Sequence, residues 1–203
     1  MLDPSDWHIP DTKIDQPLLL VVVDTEEEFD WGRPVSRDQV STKAIASQYR
    51  AQEILQKYAI KPTYVIDYPV ASQDSGYGPL KELYDDGLCQ IGAHLHPWVC
   101  PPFDEQVSNL NSYPGNLPRE LEKAKLATLT EEIARRFGDR PTRYKAGRYG
   151  VGPNTAGILA ELGYRIDTSV VPQTDFRDDE GPDFRHCEAA PYWFGENGVL
   201  EIP

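Results

Sequence analysis

A chain of 203 residues, 39% of them apolar, is long enough to bury a core of its own and predicts a single domain over 1–203. Its formal charge of −13 argues against nucleic acid as a partner, because phosphate binding rests on clustered Lys and Arg and the longest basic stretch here is Arg135-Arg136. The longest wholly apolar run, 18–23, falls far short of the roughly 20 residues of a membrane helix, and the N-terminus carries no visible export signal. Cys89, Cys100 and Cys187 are odd in number and widely spaced, so they support neither a disulfide framework nor a structural zinc knuckle, and a cytoplasmic location without a membrane span is expected.

Residues 1–16 mix Pro, Asp and Lys without periodicity and read as an N-terminal arm. The run 18–23, Leu-Leu-Leu-Val-Val-Val, has the length and composition of a strand covered on both faces. Ser41-Thr42 supplies a helix start, and Ile45, Tyr49, Leu55 and Tyr58 then recur at helical spacing until Pro62, predicting about four turns. A second strand is expected at 63–66, a short helix at 80–84 ending near Gly87, and a third strand at 88–93. The Pro-rich segment 97–118 reads as a long functional loop.

Pro118 at a first helical position, Leu121, Leu129, Ile133 and Phe137 along one face, and Gly138 just past the end predict a long helix. A break is expected near Thr128, where Thr-Leu-Thr-Glu has the form of a capping box. A strand through Tyr144, a helix over 153–162 stopped by Gly163, a strand at 164–166 and a last strand at 199–202 follow. This alternation gives an α/β class with a parallel sheet, open or closed into a barrel.

Two pairs of polar residues recur at one spacing: Asp24-Thr25-Glu26 after the first strand and His94-Leu95-His96 after the third. Residues two apart in extended backbone point the same way, so each pair aims both polar groups at one side of the sheet. Arg148 and Tyr149 follow the strand near Tyr144, and Asp167 follows Ile166. All of these lie at carboxyl ends of strands, which share one face in parallel α/β folds and carry their active sites. Two imidazoles and one carboxylate match the ligand count of catalytic zinc, with a fourth position left for water. His94, His96 and either Asp24 or Glu26 supply that set, and the remaining carboxylate is placed to act as general base. Arg148, reaching the same pocket, would keep the base ionised.

Each piece also has a plainer reading. Residues 24–28 read as a solvated acidic loop, the two histidines as a loop pair, Asp167 with Thr168-Ser169 as a turn cap, and Arg148 as a surface ion pair. Trp31, Trp98 and Trp193 suit a carbohydrate groove, although aromatic residues more often pack. His186 beside Cys187 reads as structural.

With these residues in view, the chain resembles the polysaccharide deacetylase family, the NodB-homology, carbohydrate-esterase-4-like enzymes, over about 17–203. It is most similar to a divergent branch that carries Asp-Thr-Glu-Glu-Glu-Phe-Asp-Trp. The resemblance implies an irregular NodB-like (β/α) barrel of about seven strands, with Asp24 as catalytic base and Glu26 as metal ligand. The family's second motif holds two histidines four apart; here the position four after His94 is Trp98, so the resemblance puts His96 in the second imidazole's place. Arg148-Tyr149 is similar to the third motif, which implies Arg148 pairing the base, and Asp167-Thr168-Ser169 is similar to the fourth, with Asp167 a catalytic position. Tyr149, Trp98 and Trp31 are the implied substrate-binding residues. The fifth motif, which holds the histidine that serves as general acid, has no counterpart before Pro203. That implies either a chain truncated at its C-terminus, with a barrel incomplete on one side where a neighbouring copy in a homo-oligomer could supply the missing strand, or a branch that protonates its leaving group differently; truncation is the favoured expectation. The implied activity is metal-dependent hydrolysis, with Zn2+ the best-fitting ion, removing N- or O-acetyl groups from a sugar or polysaccharide. A metal-independent amide hydrolase on the same fold and a catalytically inactive glycan-binding domain are the alternatives.

Overall fold

The computed structural model describes residues 7–10, 16–194 and 198–203, so most of the expected N-terminal arm lies outside the described residues. Strand β1 (Val22–Thr25) is followed by a 3-10 turn at Lys43–Ser47, helix α1 (Tyr49–Lys57), strand β2 (Thr63–Ile66), helices α2 (Tyr68–Ser72) and α3 (Asp74–Asp85), and strand β3 (Gln90–Leu95). Three short 3-10 turns interrupt the 97–118 loop before helix α4 (Arg119–Phe137). Strand β4 (Arg143–Ala146), helix α5 (Thr155–Leu162), and strands β5 (Ile166–Asp167), β6 (Tyr192–Phe194) and β7 (Val199–Glu201) complete the order.

The strands form a seven-stranded sheet in the order β1-β2-β3-β4-β5-β7-β6, parallel throughout except for the antiparallel β6–β7 pair. The expected seven-stranded, irregular β/α arrangement is therefore present, but among the described residues the sheet stays open, with β1 at one edge and β6, bridged through Trp193 to His8, at the other. Side-chain parity assigns the faces. Tyr64, Ile66, Ile91, Ala93, Leu95, Tyr144 and Ala146 share one face and pack in the core with Leu126, Leu129, Ile133 and Phe137 of α4 and Ile158 and Leu159 of α5. The other face carries Val22, Asp24, Val65, Gly92, His94, Arg143, Lys145 and Ile166 in matching register. Val22, Val65, Arg143, Ile166 and Ile202 of this second face line a cavity of about 340 Å³, so the sheet curls with that face inward. The curl demands little bulk at its centre: a Cβ on Gly92 would lie 2.8 Å from Val65 Cγ1 and 2.9 Å from the Arg143 carbonyl.

Several boundaries differ from the sequence expectation. The first strand is Val22–Thr25 rather than 18–23, and Leu18, Leu19 and Leu20 are 70%, 72% and 59% exposed. Ser41 does not cap a helix; its hydroxyl donates to Glu28 Oε2 at 3.0 Å, and the expected four-turn helix divides into the 3-10 turn and α1. Helix α3 is longer than the expected 80–84. Helix α4 runs unbroken, because the Thr128 hydroxyl donates back to the Ala124 carbonyl at 2.9 Å instead of capping a new start. It ends where Gly138, at φ 90°, accepts the left-handed backbone that terminates helices. Strand β6 was not expected. No described helix is long and apolar enough to cross a membrane, and all three cysteines are buried and free.

Candidate metal centre

The backbone that follows β1 and β3 brings one carboxylate and two imidazoles to a point. Glu26 Oε2 lies 3.2 Å from His94 Nε2 and 3.3 Å from His96 Nε2. Both imidazoles are buried, and Glu26 remains partly accessible. The far nitrogen of each ring decides what the near one offers. His94 Nδ1 is 2.9 Å from the Lys145 carbonyl, which can only accept, so Nδ1 carries the proton and Nε2 a lone pair. His96 Nδ1 is 2.9 Å from Glu27 Oε2, another acceptor, so its Nε2 is also a lone pair; that atom is buried and has no hydrogen-bond partner.

With both rings neutral, three electron-pair donors face one another with no hydrogen between them, an arrangement that suits a cation. Ligands 2.0 to 2.2 Å from a tetrahedral centre stand about 3.3 to 3.6 Å apart, and the two nitrogen-to-oxygen separations here are close to that spacing. Burial raises the Glu26 carboxyl, but hydrogen bonds and positive charge from His94 and His96, when those rings are protonated in place of an ion, outweigh it and hold the group well below the usual carboxylate range. Glu26 is therefore anionic at neutral pH, as a ligand must be.

Behind His96 lies a second, fully enclosed layer. Glu27 Oε1 accepts from Trp98 Nε1 at 3.1 Å, and its backbone N–H donates to Asp67 Oδ2 at 2.8 Å. Asp67 caps α2 by accepting from the Val70 N–H at 2.8 Å. Burial pushes Glu27 up to about 7; burial and then the neighbouring Glu27 push Asp67 well above the carboxylate range, so Asp67 is the partner that retains a proton. Within the acidic run 24–28, Glu27 is thus enclosed and Glu26 half-buried, while Asp24 and Glu28 remain exposed. Trp98, expected to bind substrate, is 2% exposed and stacks on His96 with ring centroids 4.3 Å apart.

Asp24 stands beside this cluster on the inward sheet face, and its partner is Lys145, whose ammonium lies 2.8 and 2.6 Å from the two carboxylate oxygens. Arg148, expected to pair this base, is engaged elsewhere. It donates to Asn109 Oδ1 at 2.7 Å, to Ser112 and to Asp179, and lies over the Tyr113 ring. Arg148 and Tyr149 both have left-handed backbone, φ 54° and 58°, which turns the Arg148 side chain away from Asp24 and toward the 109–113 segment. Asp167 does not join the cluster. Its register with Tyr144 puts it on the helix-covered face, where it is fully buried, accepts from Ser169 and lies beside Glu201. Ser169 in turn accepts from the Ala146 N–H at 2.7 Å, so Asp167 braces the end of β4 from behind.

Sequence reasoning missed Lys145, Glu27 and Asp67. The β3–β4 register, His94 opposite Lys145, is the signal that finds the first of them. Asp24, Glu26, His94, His96 and Lys145 line a recess of about 100 Å³. Trp31, Arg148 and Tyr149 line both this recess and a larger cleft of about 600 Å³, whose walls include Phe29, Tyr113 and Phe176. Trp31 is 63% exposed at this junction, whereas Trp193 lines a different cavity together with Ile9 and Leu18. His186 is exposed.

The fold recurs among solved structures. The chain superposes on a protein assigned as a polysaccharide deacetylase from Mycobacterium smegmatis with a TM-score of 0.60, at 17% identity over 91% of this chain and 57% of that one. The BpsB deacetylase domain from Bordetella bronchiseptica gives 0.52 at 13% identity over 75% and 64%, and the 4-alpha-glucanotransferase from Thermococcus litoralis gives 0.54 at 16% identity over 91% and 27%. The chain therefore spans less than two thirds of each of these proteins. No family model and no curated protein matches its sequence. Deacetylases and a glucanotransferase share this architecture, so the fold by itself does not select a chemistry, and the side chains of the recess must do so.

Proposed function

We propose that this chain, which has the fold seen in polysaccharide deacetylases, is a metal-dependent hydrolase that removes acetyl groups from an N- or O-acetylated sugar or polysaccharide. The observation that carries the reading is the convergence of Glu26 Oε2, His94 Nε2 and His96 Nε2, beside the Asp24 carboxylate that Lys145 holds. Two imidazoles with one carboxylate are a ligand set suited to zinc, and these three residues would hold the ion. Such an ion polarises an acyl oxygen and lowers the pKa of a bound water toward neutrality.

The chain's own residues account for the proton. Asp24, paired with Lys145, accepts a proton from the attacking water as oxygen bonds to the acyl carbon. The protonated Asp24 then returns that proton to the departing sugar nitrogen or oxygen as the acyl bond breaks, leaving acetate and the free amine or hydroxyl. Lys145 fixes the direction of that carboxylate through charge-assisted hydrogen bonds to both of its oxygens. Trp31 and Tyr149, at the junction of recess and cleft, offer apolar ring faces against which a sugar ring can pack. The pairing of Arg148 with Asp179 holds the wall of that cleft.

The test is acetate release from a panel of acetylated oligosaccharides, with elemental analysis of the same preparation. One ion per chain and activity lost on chelation support the reading. Undiminished turnover in verified metal-free protein removes the metal mechanism in favour of a metal-independent hydrolase, and glycan binding with no acetate released replaces catalysis with a binding role.

A further inference from the structure

Glu26 and Glu27 are adjacent and point opposite ways, the first into the recess and the second into the protein. We infer that Glu27 is a positioning residue: by accepting the Nδ1 proton of His96 it keeps the Nε2 lone pair of that ring facing the ion site. The inference rests on the metal-centre reading above and assigns a role that the ligands themselves do not fill.

The His96 ring has no freedom to choose its own orientation. Trp98 stacks on one side at 4.3 Å, and Phe29 meets the ring edge-on at 5.7 Å. The backbone of Gly147 also approaches so closely that a Cβ there would lie 2.5 Å from His96 Cδ2. With the ring clamped, only its tautomer remains to be set, and the tautomer decides whether Nε2 offers electrons or a hydrogen. Glu27 Oε2, at 2.9 Å from Nδ1, settles this in favour of the lone pair.

Glu27 is itself fixed. Trp98 Nε1 donates to its other oxygen at 3.1 Å, and its backbone N–H is tied to Asp67. Two donors, one on each oxygen, require a carboxylate. A glutamine of the same shape has a single acceptor oxygen, so it either leaves the Trp98 N–H facing an amide N–H or presents that N–H to His96 Nδ1. In the second arrangement the imidazole proton moves to Nε2 and blocks the ion.

Glu27, Asp67 and His96 also place ligand-type atoms within 4.8 Å of one another, which raises the possibility of a second ion behind the first. The hydrogen bonds oppose it. The N–H groups of Val70, Glu27 and Trp98 already point at the Asp67 and Glu27 oxygens, and their positive ends would face any cation placed there.

The experiment compares the full chain with Glu27→Gln in two measurements. Zinc affinity and stoichiometry are read by competition with a chromophoric chelator, and the His96 tautomer is read from imidazole 15N spectra of the metal-free proteins. The expected results are one ion per wild-type chain, a 10- to 100-fold weaker affinity in Glu27→Gln, and a His96 signal that moves from the Nδ1–H form toward Nε2–H. Unchanged affinity with an unchanged tautomer overturns the inference, as do two ions per wild-type chain. Should the variant fail to fold, the wild-type spectrum alone decides, because an Nε2–H His96 in the native protein overturns the proposal. A wild-type chain that binds no ion defeats the metal-centre reading instead, and the tautomer measurement still reports on Glu27.

Discussion

Lys145 and Asp24 lie on β4 and β1, two strands separated by β2 and β3, yet they form an ion pair of 2.6 Å across the inward face of the sheet. Only the curl of the sheet, with Gly92 at its centre, brings them together. Because this lysine and not Arg148 holds Asp24, the base of the proposed reaction, the two cations are expected to separate kinetically. Lys145→Met should lower kcat by about 10- to 100-fold, within the range for weakened general-base catalysis. Arg148→Met should act mainly on KM through the cleft wall. Steady-state kinetics on a soluble acetylated oligosaccharide distinguish them; equal effects on both parameters would place Arg148 at the base after all.

The two acidic residues of the Asp-Thr-Glu segment are expected to divide their tasks. Asp24→Asn should retain the ion and lose about 100-fold or more in turnover, whereas Glu26→Gln should lose the ion itself. Zinc at 100 times its dissociation constant should stabilise the wild type by about 2.7 kcal/mol and leave Glu26→Gln unmoved, as read by thermal denaturation. If Asp24→Asn is the variant that loses metal, the roles are reversed.

Behind the sheet, the buried acids predict an unusual pH dependence of stability. Burial pushes Glu122 up to about 7 and Asp167 up to about 6, and burial and then the neighbouring Asp167 push Glu201 well above the carboxylate range. At these three groups the folded chain therefore binds more protons than the unfolded one between about pH 4 and 7. Their contribution is complete below the unfolded value near 4 and is lost as pH rises through 6 and 7, so metal-free protein should be more stable at pH 5 than at pH 8. Glu122→Gln, which keeps an acceptor for the Thr155 hydroxyl, should flatten part of that slope in chemical denaturation curves.

Lys125 of α4 is fully buried and donates to the carbonyls of Pro97, Cys100 and Pro102 at 2.9, 2.7 and 2.6 Å, with Glu105 Oε2 at 2.9 Å. Lys125→Met strands these oxygens and should destabilise the protein by about 3 to 5 kcal/mol. It should also weaken ion binding, because the anchored segment begins one residue after His96. Urea denaturation and chelator competition check the two effects; a stability loss without any change in affinity would show that the segment and the imidazole are uncoupled.

The strands at 63–66 and near 88–93, the long helix ending at Gly138, and the α/β alternation were all legible, because apolar runs, helical spacing and a C-terminal glycine act locally. The pairing of His94 and His96 with Glu26 was legible as a same-side argument, although which carboxylate of the first pair turns toward the imidazoles was not. What escaped the sequence depends on register and curvature. Lys145 reaches Asp24 only because β4 pairs with β3 one particular way, and Asp167 fell on the helix side because its parity matches Tyr144. Glu27 fell within the run that also read as a solvated loop, and Asp67 drew no reading, since nothing local announces that Trp98 and two backbone N–H groups enclose them. The run 18–23 misled because apolar character alone does not say where hydrogen-bonded pairing begins, and three leucines ahead of β1 stand in solvent.

The contact between the Gly147 backbone and the His96 ring leaves no room for a side chain: a Cβ would fall 2.4 Å from the Leu95 carbonyl and 2.5 Å from His96 Cδ2. Position 147 can therefore serve as a diagnostic when chains of this architecture are compared. A sequence that aligns with His-x-His here but carries any residue other than glycine at the equivalent of 147 must tilt the second imidazole out of place, and so would inherit the scaffold without the ion-binding pocket.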